Sequence, residues 1–281
     1  MPETFFCQDG DRYIPSELTR GPWDPDSQHA GPPSALLGRE LERLQGESGD
    51  EGPRPQLGRI TYEILRAVPI EPVTVSARIV RPGRSVEMVE GTLSDADGVV
   101  MLARGWRIRP SGVELPPRLA SEDPNSPARR AGRPGGQGPP PSPEDSESKP
   151  FFDTGQDVGY HTAMDYRFAA GGFLEPGPAT VWMRMRQPLV EGEEPTPLQR
   201  VLCAADSGNG VSATLDWSRY LFINVDLTVE LHRLPAGEWV CLDAITIPEP
   251  TGLGLSDAAL FDERGPIGHA TQTLLVAERR A

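Results

Sequence analysis

Two stretches of this chain are copies of one another at a fixed spacing, and that repetition constrains the fold more than any local pattern does. Ile60-Thr61-Tyr62-Glu63-Ile64-Leu65-Arg66 aligns with Leu227 to Arg233, and Ser94-Asp95-Ala96-Asp97-Gly98 aligns with Phe261 to Gly265, both at an offset of 167 residues. A constant offset without insertion means that one supersecondary module occurs twice. From Asn224 to Val276 the second copy reads as four extended segments in succession. Apolar residues alternate at Val225, Leu227, Val229 and Leu231, and a turn at Asp262-Glu263-Arg264-Gly265 precedes the last segment.

Each copy also carries a helix. Residues 36, 37, 41 and 44 put leucines on one stripe after Pro32-Pro33, a pair that suits a first helical turn. Strands are expected at about 57–67, 72–81, 84–95 and 98–109, with turns at Pro82-Gly83-Arg84 and at Asp95 to Gly98. In the second copy, strands are expected from Tyr160 to Phe168 and from Ala179 to Pro188, and a helix from Thr196 to Asp206. Val201-Leu202-Cys203-Ala204 lie at the same offset from Ser34-Ala35-Leu36-Leu37. A helix packed on one face of an antiparallel meander is an α+β pattern. Two such sheets can pair edge to edge, like a dimer fused into one chain. Residues 1–30 read as irregular. From Pro110 to about Pro150 the composition turns to Pro, Gly and Ser with almost nothing to bury, the mark of a flexible linker. The expected organisation is therefore a module over 1–110, a linker over 111–150 and a second module over 151–281.

Composition removes several functions. The 281 residues carry 27 Lys and Arg against 41 Asp and Glu, a net charge of −14. That balance, without clustered cations, argues against nucleic acid and gives no general attraction to anionic membranes. An anionic ligand needs a local exception to this field. Cys7, Cys203 and Cys241 have no paired spacing, which fits reduced thiols in a cytosolic protein. The N-terminal residues lack the basic head and apolar core of a signal peptide, and no apolar run reaches the length of a membrane span. The expectation is a soluble, cytoplasmic protein. His29, His161, His232 and His269 show no metal-ligand spacing, Ser207 is not in a Gly-x-Ser-x-Gly elbow, and no phosphate-binding or dinucleotide fingerprint occurs. No metal and no cofactor are expected.

Candidate site residues emerge where the copies differ. Asp206 stands in the place of Arg39, Asn224 in that of Leu57, and Gln272 in that of Gly105. Asp206 ends the apolar run Val-Leu-Cys-Ala-Ala, where the negative helix terminus disfavours a carboxylate by a few tenths to about 1 kcal/mol. A residue kept against that gradient has some claim to a role, although Asp206-Ser207-Gly208-Asn209-Gly210 also reads as a turn. Gln272 shares a strand face with Ala270 and Leu274, so its amide needs a partner. Asn224 at a strand start is ordinarily a turn residue.

Four stretches together resemble the acyl-CoA thioesterase II family and its actinobacterial thioesterase-like relatives. They are Gln28-His29-Ala30-Gly31-Pro32-Pro33-Ser34-Ala35-Leu36-Leu37, Ala204-Ala205-Asp206, Asn224 to Arg233, and Ile267-Gly268-His269-Ala270-Thr271-Gln272. The resemblance implies a double hotdog and a role in fatty acid metabolism. It implies hydrolysis of an acyl-CoA or acyl-pantetheine thioester by a water held by Asp206, Asn224 and Gln272. Coenzyme A is then part of the substrate. It also implies an oxyanion site at a helix N-terminus. Pro32 and Pro33 lack N–H groups, so the candidates narrow to Ala30 and Gly31, with His29 alongside. Asn224 departs from the hydroxyl residue of the best-known members, but an amide still donates to and accepts from water. Ala30 stands where relatives often carry Gly. Further association into homo-oligomers is implied as well. Two other readings remain open: a non-hydrolytic acyl-CoA or acyl-carrier binder, and a dehydratase using a His paired with a carboxylate.

Overall fold

The computed structural model describes residues 3–45, 53–119 and 139–279. Among the described residues, one antiparallel sheet of thirteen strands spans both halves. In chain order the strands are β1 (Phe6–Asp9), β2 (Arg12–Pro15), β3 (Gln56–Ile64), β4 (Val73–Arg81), β5 (Val86–Asp95) and β6 (Gly98–Ile108). After them come β7 (Met164–Gly172), β8 (Glu175–Met185), β9 (Tyr220–Asn224), β10 (Asp226–Leu231), β11 (Val240–Pro248), β12 (Leu253–Asp262) and β13 (Gly265–Glu278). Their spatial order is β1-β2-β4-β5-β6-β3-β10-β13-β12-β11-β8-β7, with β9 also pairing β13. The helices are α1 (Gly31–Arg43), the single turns α2 (Tyr160–Ala163) and α4 (Gly208–Val211), and α3 (Pro197–Ala205). These are the two paired α+β modules expected from the repeat, in the double hotdog arrangement that the resemblance implies.

The repeat offset becomes a local two-fold axis. β3 and β10 join the two halves, and Thr61 pairs with Thr228, its own counterpart 167 residues on. Tyr62 pairs with Leu227 and Ile60 with Val229, as rotation about that point requires. The two threonine hydroxyls meet at 3.0 Å. Side-chain chemistry repeats too: Arg66 pairs with Asp95 at the end of one hairpin, and Arg233 with Asp262 at the other.

α1 and α3 pack on each other between the two halves of the sheet. α3 begins at Thr196, whose hydroxyl accepts from Gln199 N–H while the Gln199 side chain accepts from Thr196 N–H, a capping box with Pro197 at the first helical position. Leu198, Gln199 and all residues from Val201 to Ala205 are buried, as for a helix enclosed on every side. Gly31 lets α1 start against the last turn of α3: a Cβ there would fall 2.3 Å from the Cys203 carbonyl oxygen.

Three expectations need correction. Residues 1–30 are not irregular throughout, because β1 and β2 form a hairpin on the edge of β4. Phe5 and Phe6 then donate to the Pro188 and Leu189 carbonyls, strapping the first module to the second. Such four-residue strands carry too little periodicity to see. Tyr160 to Phe168 is a helical turn followed by β7, because Tyr160 turns inward to bond the Cys203 carbonyl at 2.7 Å. Finally, the tail of the expected linker belongs to the second module. Glu147 exchanges two backbone hydrogen bonds with Phe168, and Trp182 Nε1 donates to the Pro141 carbonyl at 2.7 Å. Backbone groups there find partners although the side chains bury little. The most Pro- and Gly-rich part, residues 120–138, lies outside the described residues. Among the described residues no helix is long and apolar enough to cross a membrane.

Candidate active site

Asp206 is the C-cap of α3, still in helical conformation at φ −66° and ψ −13°. The chain passes through Ser207 and re-enters a helical turn as α4, so the expected turn is a break between two helices. A break exposes a carbonyl on one side and an N–H on the other. Gln272, on the inner face of β13, closes it. Its Nε2 donates to the Asp206 carbonyl at 3.0 Å and to Asp206 Oδ1 at 3.3 Å, and its Oε1 accepts from Asn209 N–H at 3.0 Å. At 2% exposure Gln272 has its amide committed to protein partners.

Asn224 ends β9 rather than beginning a strand. β9 and β10 both pair with β13, and Asn224 at their junction turns its side chain toward the helix break. Its Nδ2 donates to Asp206 Oδ1 at 2.8 Å and to the Asp226 carbonyl at 3.2 Å. Asp206 Oδ1 thus takes two donors, which offset the unfavourable helix end. Oδ2 faces the other module. There His29, held by a bond from its own N–H to the Thr19 carbonyl, places Nδ1 at 3.1 Å. The structure therefore brings Asp206, Asn224, Gln272 and His29 into one cluster drawn from both copies.

His29 Nδ1 is also 3.0 Å from Gly31 N–H. One nitrogen serves both neighbours in turn: protonated it donates to Asp206, and unprotonated it accepts from Gly31. Burial lowers the His29 pKa, while the Asp206 charge acts to raise it. The ring lies flat on Tyr160 at 3.8 Å between centroids. The Ala30 N–H has no acceptor among the described residues. Cys203, next to the site, is no nucleophile, since burial pushes its thiol far above the ordinary value.

A cleft of about 510 Å³ opens onto this cluster. His29, Ala30, Asp206 and Asn224 line its floor, Leu65, Val68, Leu221 and Ile223 its walls, and Arg66 and Arg279 add cations. A second, small cavity behind His29 shares Trp23, His29 and Asn209 with it. Sequence reasoning missed Asn209 and Tyr160. Asn209 gives its backbone N–H to Gln272 and its side-chain Nδ2 to the Phe222 carbonyl at 3.1 Å, partners far away in sequence, and Tyr160 was placed in a strand.

The counterpart positions in the first module are filled. Arg39 occupies the place of Asp206 and is buried against Glu193, Glu40 and Tyr13. A Cβ on Gly105 would meet Leu57 Cδ2 at 2.5 Å, so Leu57 occupies the space that a glutamine side chain needs. This half has neither the carboxylate nor the amides.

Comparison with known proteins follows the same division. Family models for an acyl-CoA thioesterase N-terminal domain and an acyl-CoA thioesterase C-terminal domain match residues 19–108 and 143–276. A Thermobifida fusca structure assigned as a thioesterase II superposes with TM-score 0.68 at 17% identity, over 99% of this chain and 98% of that one. A hot dog protein of unknown function from Alicyclobacillus acidocaldarius gives 0.66 at 15% identity, over 98% and 96%. The acyl-CoA thioesterase II TesB2 of Mycobacterium marinum gives 0.60 at 16% identity, over 97% and 94%. At these identities the likeness establishes the fold. Among curated proteins, none matches the sequence.

Proposed function

The chain belongs to the acyl-CoA thioesterase family and is a thioester hydrolase, and from that premise we propose that it cleaves acyl-CoA with a water activated by Asp206. The observation that carries this reading is the Asp206 carboxylate, 4% exposed, with Oδ1 fixed by two amides and Oδ2 turned toward His29 at the floor of the cleft. A carboxylate so oriented is ready to take a proton from water. Asn224 offers its Oδ1 to the same water. Gln272 acts through Asp206, because its own donors are occupied.

In the reaction, Asp206 takes one proton as the water oxygen bonds to the acyl carbon. The carbonyl oxygen becomes an oxyanion, received by Ala30 N–H and by Gly31 N–H when His29 Nδ1 carries its proton and donates to Asp206. Such a donor contributes about 3–4 kcal/mol to the transition state. Collapse breaks the C–S bond, and the proton held by Asp206 passes to the sulfur, giving free acid and CoA thiol. Arg279 supplies local positive charge for an anionic CoA on a chain of net charge −14, whereas the Arg66 guanidinium is already paired with Asp95. An acyl-CoA substrate would place the protein in the cytoplasm and in fatty acid metabolism. Ile245, Ile247, Leu253, Leu255 and Leu275 are exposed on one face of β11–β13 and support self-association.

The test is release of free thiol from a panel of acyl-CoAs by the full chain. Multiple turnovers are expected. Tight acyl-CoA binding without thiol release would favour sequestration instead. The His29–Asp206 pair also suits a dehydratase, and consumption of an enoyl-CoA without thiol release would favour that chemistry.

A further inference from the structure

The small cavity behind His29 is walled by aromatic rings drawn from four separate parts of the chain. Trp23 comes from the segment before α1, Phe151 and Phe152 from the lead into α2, Tyr166 from β7, and Phe173 from the β7–β8 turn. The rings brace one another. Phe151 lies 4.2 Å from Phe173 and 4.5 Å from Phe152 between centroids, Phe152 stacks on Trp23 at 5.5 Å, and Tyr166 meets Phe173 edge-on at 5.0 Å. Few of these side chains can rotate without displacing the next.

Position and size then decide what the cavity takes. It shares Trp23, His29 and Asn209 with the large cleft. The cleft carries Arg66 and Arg279, and the small cavity is lined mostly by rings. A thioester with its carbonyl carbon beside Asp206 therefore lays CoA in the cleft and directs the acyl group past His29 into the ring-walled cavity. That cavity measures about 30 Å³. A single water needs about 10–15 Å³ on this measure, so there is room for roughly two to three heavy atoms. Apolar contact with the rings holds a short group, and planar groups gain further from offset or edge-on packing.

Resting on the thioesterase reading above, we propose that Trp23, Phe151, Phe152, Tyr166 and Phe173 form an acyl pocket that restricts this enzyme to short-chain acyl thioesters. A long alkyl chain overfills the space between these rings.

The experiment measures kcat/KM by thiol release for acetyl-, butyryl-, decanoyl- and palmitoyl-CoA, with wild type, Phe173→Ala and Phe151→Ala. Wild type is expected to prefer the two short substrates to palmitoyl-CoA by at least tenfold. Either variant should move the optimum toward decanoyl-CoA; because each loses ring contacts and some stability, the comparison is made at a temperature where circular dichroism shows every variant folded. If wild type prefers decanoyl- or palmitoyl-CoA, or if both folded variants keep the wild-type profile, the pocket assignment is overturned and thioesterase activity stands. Absence of thiol release from every substrate overturns the thioesterase reading itself, and the acyl pocket with it.

Discussion

Gln272→Leu tests whether one side chain closes the break between α3 and α4. The substitution nearly conserves volume but removes the acceptor for Asn209 N–H and the donors to the Asp206 carbonyl and carboxylate. Asn209 is 6% exposed and Asp206 4%, so water does not easily replace the lost partners. Stranding a buried backbone group costs about 1–3 kcal/mol, and two are stranded here. Extra apolar burial returns about 1–2 kcal/mol, leaving a net loss of about 0–5 kcal/mol, centred at about 2–3 kcal/mol. For a chain of this size the central value lowers the melting temperature by about 4–12 °C. Asp206 also loses one of its anchors, and displacement of a reacting group by an ångström can cost about a hundredfold in rate. Thermal unfolding followed by circular dichroism and kcat from thiol release read the two effects. A melting temperature within about 1 °C of wild type, with turnover unchanged within a few fold, would refute this role for Gln272.

Other substitutions separate the two halves. Arg39→Met should cost about 2–4 kcal/mol in urea unfolding, with kcat preserved at low temperature, because it strands Glu193 and Tyr13 away from Asp206. The figure stays below that of a wholly buried pair because Glu193 and Glu40 keep about a quarter of their side-chain exposure. Gly31→Ala should lower both stability, by about 1–3 kcal/mol, and kcat, since its Cβ presses on the Cys203 carbonyl and pushes α1 off the site. Burial lowers the pKa of His29, His161 and His232 below the ordinary 6.5. The unfolded chain then binds more protons at acid pH, so stability is full above about pH 6.5 and falls as pH drops below it. A urea midpoint that rises between pH 6.5 and 5 would contradict that sign.

The repeat made the architecture legible because a fixed offset between paired strands is a symmetry operation, and Thr61 against Thr228 is its direct expression. Comparing the copies also singled out Asp206, Asn224 and Gln272, because polar groups in one half of a fused pair stand out against Arg39, Leu57 and Gly105, and the structure bonds the three to one another. What stayed hidden depends on distance through space rather than along the chain. The sequence places His29 before α1 but cannot show that Nδ1 faces a carboxylate from the other module. Gln272 looked like a residue for holding water, whereas it holds a helix break that itself read as a turn. The strap formed by β1 and β2 is too short to show periodicity, and residues 141–150 are ordered by backbone bonds that composition does not report.

Asp206→Asn tests the central claim with the least disturbance. Asn keeps the oxygen that accepts from Asn224 and Gln272, and its new amide can donate to an unprotonated His29 Nδ1, so the cluster stays bonded. The capacity to take a proton from water is lost, and Gly31 N–H stays bonded to an unprotonated His29 Nδ1 instead of facing the oxyanion. Positioned acid–base groups contribute about a hundred- to ten-thousand-fold. Thiol release from the preferred acyl-CoA should therefore fall by at least a hundredfold, with the melting temperature within a few degrees of wild type. A folded Asp206→Asn protein that turns over within a few fold of wild type would show that Asp206 is not the base.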